Sequence, residues 1–176
     1  PLSFNRLSNI LKSAGAVLGK QTVINYVGYM MDSYMLFTLQ NYAAKLVEKE
    51  TSPKYYFMDT GLLGLMLMDC SSAQLENLVA IELIRRYGRE NVFYFEKNVE
   101  IDFYVPEEKL AIQVSLQVLD QIDTREREIG AFVKLKNFIG DATCLLITNS
   151  EEEELDYEGV HVSVVPVWKW LLQNRK

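Results

Sequence analysis

The 176 residues predict a mixed α/β chain in two parts. Up to Tyr34 the apolar residues recur at helical spacing, and two short strand-like stretches follow. From about Cys70 the pattern changes to a long helix, three strand candidates in succession, then a further helix and strand. A hydrophobic content of 49% and a charged content of 24% are those of an ordinary globular protein with one mid-sized core or two small ones.

The first part, residues 1–69, opens with Ser3 as a plausible N-cap, followed by Leu7, Ile10, Leu11 and Ala14 at helical spacing until Gly15. In a second, longer helix Val23, Tyr26, Val27, Met30, Met31 and Tyr34 mark one face, with Gln21, Asn25, Gly28 and Asp32 on the other. "YMLFTL" and "KYYFMD" read as strands flanking a segment rich in Lys and Glu. Helix, turn, helix and two strands around a polar tip is the order of a winged helix-turn-helix. In that reading Gln21 and Asn25 meet base edges in a major groove, with Lys20 as the basic residue near the helix start. The alternative is a solvated or interdomain face, because phosphate contacts usually dominate affinity and Lys20 stands alone there.

The second part, residues 70–176, begins with a helix over Ala73–Tyr87. "NVFYFE", "EIDFYV" and "LAIQVSL" are strands, Asp123–Leu135 is a charged helix, and "TCLLIT" is a buried strand. "VHVSVV" adds an alternating strand and "VWKWLLQN" a closing helix, so the order is α-β-β-β-α-β with an extra strand and helix. "EEEELD", Glu151 to Asp156, reads as a solvated loop, and Trp168 and Trp170 as packing residues.

Composition narrows the chemistry. Two cysteines, Cys70 and Cys144, are too few for a disulfide framework or a thiolate cluster, so a reducing, cytoplasmic location is expected. No signal peptide is evident, and the apolar run Gly61 to Met68 is too short to span a bilayer. With His161 the only histidine, a His-rich metal site is excluded, and no nucleophile elbow accompanies it. Residues 1–60 carry 6 Lys and Arg against 4 Asp and Glu, a net of +2, while residues 61–176 carry 12 against 20, a net of −8. Any DNA contact is therefore expected to be local, or assisted by a metal or a partner. Because the chain begins at Pro1, a fragment with an N-terminal neighbour is expected.

The hairpin "EIDFYVPEEKLAIQVS" concentrates the candidate chemistry. A four-residue loop, Pro106 to Lys109, pairs Val105 with Leu110 and so sets Asp102 opposite Gln113 and Glu100 opposite Ser115. Ile101, Phe103 and Val105 then share one face with Leu110, Ile112 and Val114. On the preceding helix, Glu76 lies near the middle of a broad face formed by Leu75, Val79, Ala80, Leu83, Ile84 and Tyr87. A carboxylate there needs a hydrogen-bond partner, a raised pKa or a cation. Glu82, on the rim, has Arg85 and Arg86 to pair with. Glu76, Asp102 and Gln113 could converge as an oxygen-rich Mg²⁺ site, with the metal activating water. The other reading is a hydrogen-bonded cluster of the same three residues without metal.

The order α-β-β-β-α-β with Glu76, Asp102 and "QVS" resembles the PD-(D/E)XK nuclease superfamily, whose pattern is a helix Glu, a strand Asp, then (Glu/Gln)-x-Lys. Nearly the whole chain is similar to the C-terminal region of a family of prokaryotic AAA+-type ATPases, a region catalogued as a domain of unknown function. The stretches that carry this are "TVINY", "SPKYYFMDTGLL", "LENLV", "EIDF", "IQVS" and "TRERE", in that order. The resemblance implies a winged helix joined to a nuclease-like domain, and an N-terminal ATPase module through which alone ATP would bind. The present sequence has no G-x-x-x-x-G-K-[ST]. It departs from the superfamily pattern at Ser115, where a lysine would hold the scissile phosphate, and Gln113 supplies an amide in place of a carboxylate. Arg125 is a candidate replacement, as a phosphate contact or an ion pair to Asp102; the alternative is a surface helix of interleaved Arg and Glu. The resulting expectation is a DNA-engaging module with a degenerate catalytic site at Glu76, Asp102, Gln113 and Ser115. The alternatives are a Mg²⁺-dependent DNA endonuclease and an interaction or oligomerisation module that never touches nucleic acid.

Overall fold

The computed structural model describes residues 4–13, 15, 16, 18–45, 53–66, 71–119 and 122–173. Ser3, Ala14, Cys70 and most of the charged segment between the first two strands lie outside them.

Helices α1 (Phe4–Ser13) and α2 (Lys20–Asp32) lead into strands β1 (Leu36–Asn41) and β2 (Lys54–Phe57). A short α3 (Gly61–Met66) and the long α4 (Ser71–Tyr87) follow. Next come β3 (Phe93–Glu96), β4 (Glu100–Val105), β5 (Leu110–Val114), α5 (Ile122–Ile139) and β6 (Thr143–Thr148). The chain closes with β7 (Glu153–Tyr157), β8 (Val160–Pro166) and α6 (Val167–Leu172). The expected α-β-β-β-α-β order is therefore present from α4 to β6.

All eight strands among the described residues join one mixed sheet in the order β2-β1-β3-β4-β5-β6-β8-β7. β1 and β2 pair antiparallel, from Leu36 opposite Phe57 to Leu39 opposite Lys54. β1 then runs parallel to β3 through Gln40–Phe93 and Asn41–Tyr94. The two strands expected to form a wing thus extend the sheet that carries the site, across the boundary expected at residues 69 and 70. The reason is apolar: Phe37, Leu39 and Tyr56 are buried with Val79, Ala80, Leu83 and Phe103 in one continuous core. Phe37 and Tyr56 stack at 5.5 Å, and Tyr56 meets Phe103 at 5.7 Å.

Two cores lie on the two faces of the sheet. The first packs α4 and Trp170 of α6 against β1, β2 and the near side of β3–β6. The second packs Ile129, Phe132 and Leu135 of α5 against Tyr104, Ala111, Leu146, Val162 and Val164. Covering both faces explains why "TCLLIT" reads as a near-continuous apolar run, since β6 is parallel to both β5 and β8. Arg86 of α4 anchors α6 by donating to the Trp170 carbonyl at 2.9 Å and lying 4.3 Å over the Trp170 ring.

Several sequence expectations are corrected. Tyr34 lies beyond α2, which ends at Asp32, and within the stripe that marks one helix face Val23 is buried whereas Tyr26 is 52% exposed. Tyr34 follows the helix with φ of 58°, in the left-handed region, and so leaves the helical face altogether. "EEEELD" is not simply a loop, because Glu153–Tyr157 forms edge strand β7. Its alternation, Leu155 buried between exposed Glu154 and Asp156, was hidden within a charge run. Glu151 is equally structural, accepting the backbone N–H groups of Val118 at 2.6 Å and Leu119 at 3.2 Å. Trp170 packs as expected, but Trp168 is 58% exposed.

Candidate functional site

The site forms where β4 and β5 part. Their antiparallel ladder holds Val105 opposite Leu110, Tyr104 opposite Ala111 and Phe103 opposite Ile112, as the loop length predicts. Beyond Phe103 side chains take over the hydrogen bonding. Gln113 Oε1 accepts the Asp102 N–H at 2.8 Å, and Asp102 Oδ2 accepts the Val114 N–H at 3.0 Å. On the other side of β4 the register shifts between Phe93–Tyr104 and Phe95–Ile101, so three steps on β4 face two on β3. This bulge turns Ile101 towards the α5 core while Phe103 and Val105 stay in the α4 core. The expected common face of Ile101, Phe103 and Val105 is therefore broken at Asp102, and the bulge re-aims that carboxylate.

Asp102 faces Glu76, as the sequence anticipates, but the residue between them comes from β2. Lys54 Nζ lies 2.8 Å from Glu100 Oε1, 3.5 Å from Asp102 Oδ1 and 3.8 Å from Glu76 Oε1. Two residues along the same strand face, the Tyr56 hydroxyl donates to Glu76 Oε1 at 2.8 Å. Asn77, 2% exposed, locks β2 onto α4: its Oδ1 accepts the Phe57 N–H at 2.7 Å and its Nδ2 donates to Phe57 O at 3.0 Å. Lys54 thus reaches the carboxylates because β2 is bolted to the helix that carries Glu76.

Burial, then repulsion from Glu76, pushes the Asp102 carboxyl up to about 7, against the opposing pull of Lys54 and the Val114 N–H. Burial alone would lower the Lys54 ammonium, but Asp102, Glu76 and Glu100 outweigh it and hold the pKa above its ordinary value. Burial raises Glu100 and Lys54 lowers it, with a net fall. Burial, reinforced by Glu76 and Asp102, keeps the Tyr56 phenol protonated far above its usual range. Lys54 therefore acts as a permanent positive charge shared by three carboxylates, not as a base.

A cleft of about 500 Å³ opens over this cluster. β4 and α4 line it with Glu76, Glu100 and Asp102, and α5 contributes Glu126, Arg127 and Lys134. Ser115 does not line the cleft: its Oγ donates to Gln117 O at 3.1 Å and its N–H to Ile147 O at 3.0 Å. The cation beside Asp102 is Lys54 and not Arg125, which sits half-buried on α5. The pair expected to interact with DNA is elsewhere, on the exposed start of α2, where Gln21 Nε2 donates to Asn25 Oδ1 at 3.1 Å beside exposed Lys20.

The donors brought together do not make a Mg²⁺ site as placed. An ammonium occupies the point where the carboxylates converge, and the Gln113 amide oxygen is committed to a backbone N–H. Among the described residues no three His, Cys, Asp or Glu side chains are positioned to share a metal ion. Glu76, Asp102 and Gln113 line the same cleft, and the residue the sequence pattern did not single out there is Lys54. Its signal was the period-2 pattern of "KYYF", which puts Lys54 on the same face as the core residue Tyr56.

Residues 2–74 match a family described as "Domain of unknown function (DUF8612)". That stretch includes Lys54 and ends before Glu76. The chain is also similar to the uncharacterized protein MJ1544 of Methanocaldococcus jannaschii, 32% identical over 181 residues and 97% of the present chain. The chain spans 41% of that relative's length. No solved structure matches it.

Proposed function

We propose that this chain is a DNA-engaging module of an AAA+-type ATPase, built from a winged-helix-like segment and a PD-(D/E)XK-like core whose nuclease site no longer cleaves. The observation that carries the non-cleaving half is the position of Lys54 Nζ, within 3.8 Å of Glu76, Glu100 and Asp102. A metal-dependent nuclease needs a cation there that binds water and phosphate. An ammonium neutralises the carboxylates but cannot polarise a bound water in that way, so the fold is retained without the reaction. The link to a longer protein is supported by the relative, more than half of which lies outside the match. DNA engagement is supported by the start of α2, where Lys20, Gln21 and Asn25 are exposed.

One observation favours the endonuclease reading. Lys54 supplies from β2 the basic group that position 115 lacks, and it borders the cleft. A single comparison separates the readings: plasmid and linear DNA incubated with the chain and with Asp102→Ala, with Mg²⁺ present and absent. The proposal expects no Mg²⁺-dependent cleavage by either. It also expects DNA binding that weakens with salt and is reduced when Lys20, Gln21 and Asn25 are all changed to alanine. Cleavage that Asp102→Ala abolishes would establish the endonuclease, and absence of DNA binding would leave an interaction module.

A further inference from the structure

We propose that Glu128 of α5 is a positioning residue of this site: it dictates which end of the Gln113 amide faces Asp102, and thereby requires glutamine rather than glutamate at position 113. The inference rests on reading Asp102 as the centre of the nuclease-like site, and it assigns a role to a residue of "TRERE" that the resemblance leaves without one.

Where β4 and β5 separate, the Asp102 N–H loses its ladder partner and takes Gln113 Oε1 instead, at 2.8 Å. That choice sends the Gln113 NH₂ the other way, to the Glu100 carbonyl at 3.3 Å and to Glu128 Oε2 at 2.9 Å. The Glu100 carbonyl can only accept, and the Glu128 oxygen facing the amide accepts as well. The Arg127 guanidinium donates to Glu128 Oε1 at 2.6 and 3.1 Å, which leaves Oε2 to Gln113. Gln113 is 5% exposed and Glu128 7%, so water is poorly placed to repair a mismatch.

Flipping the amide would face the Gln113 carbonyl oxygen to two acceptors and its NH₂ to the Asp102 N–H, losing all three bonds. A glutamate at 113 would keep the Asp102 contact but set its second oxygen against the Glu100 carbonyl and the Glu128 carboxylate. The superfamily pattern allows Glu or Gln at this position; in this chain Glu128 decides between them. Gln113 is then a hydrogen-bond splice that holds the end of β4, and with it the Asp102 carboxylate, in place beside Lys54.

The test uses the purified chain without DNA or added metal. Gln113→Glu is expected to lower Tm by on the order of 5 °C. Adding Glu128→Gln, whose NH₂ can donate to the new carboxylate, restores at least half of that loss. Glu128→Gln alone leaves the Asp102 backbone amide resonance in place, since its Oε1 still accepts from Gln113, whereas Glu128→Ala moves it. The proposal is overturned if Gln113→Glu is as stable as the parent, if Glu128→Gln does not rescue it, or if Glu128→Ala leaves the Asp102 amide unmoved. None of these readouts involves nucleic acid, so they stand or fall separately from the cleavage and binding comparison.

Discussion

Replacing Lys54 with methionine keeps the length of the stem and removes the charge that three carboxylates share. The Lys54 and Asp102 side chains are 14% and 18% exposed, whereas Glu76 is 33% and Glu100 54% exposed. Removing one partner from a fully buried ion pair costs about 3–5 kcal/mol. Solvent reaches Glu100 and Glu76 and screens part of that, so roughly 2–3 kcal/mol is expected here near neutral pH. For a chain of this size the loss corresponds to a fall in Tm of roughly 5–10 °C. The pH dependence identifies the cause. Asp102 is raised from 3.8 to about 7 in the fold, so the folded protein holds a proton that the unfolded chain releases between those values. The Asp102 contribution to stability is therefore best at low pH and is lost as pH rises towards 7. Without Lys54 its carboxyl moves higher still, so the variant suffers more at about pH 8 than at about pH 5, where Asp102 is neutral and needs no cation. Thermal or urea denaturation of parent and variant at both pH values measures this directly. An equal loss at both, or a loss below about 0.5 kcal/mol at the higher pH, would refute the placement of Lys54 as the shared cation. Stabilisation of the unaltered protein by Mg²⁺ would refute it as well.

Two further substitutions probe what holds the site together. Asn77→Ala strands the Phe57 N–H and C=O against α4, for an expected loss of about 2–4 kcal/mol by urea denaturation. Asn77→Asp retains the acceptor but not the donor; a variant as stable as the parent would show that β2 is not bolted through this residue. Glu151→Ala frees the Val118 and Leu119 N–H groups, so their amide hydrogen exchange accelerates while the β5–β6 ladder remains protected. Unchanged protection at Val118 and Leu119 would remove Glu151 from its role as the clamp on the loop after β5.

The readable parts of this protein were those governed by local periodicity. The α4 face with Val79, Ala80 and Leu83, the β4–β5 register set by a four-residue loop, and the apolar run of β6 all follow from spacing along a few residues. The misread parts are those where a residue acts on another element. The α2 stripe has helical spacing, but spacing does not say that anything packs on Tyr26. A charge run conceals Leu155 between acidic neighbours, because burial of one residue in five does not alter composition. Ile101 changes face through a bulge, and a single inserted residue leaves no mark in an alternating sequence.

The site divides along the same line. The sequence by itself set Asp102 and Gln113 on neighbouring strands of one hairpin and Glu76 on the apolar face of the preceding helix, because both follow from local periodicity. Only the tertiary structure decided what they do there. The parallel pairing of β1 with β3, and the Asn77 lock on β2, deliver Lys54 from far upstream in the chain to the point where the carboxylates converge. Packing of α5 delivers Glu128 to the Gln113 amide. Charges interact through space over a few ångströms whatever their separation in sequence, so no local pattern around the hairpin reveals that Lys54, on another strand, faces its carboxylates.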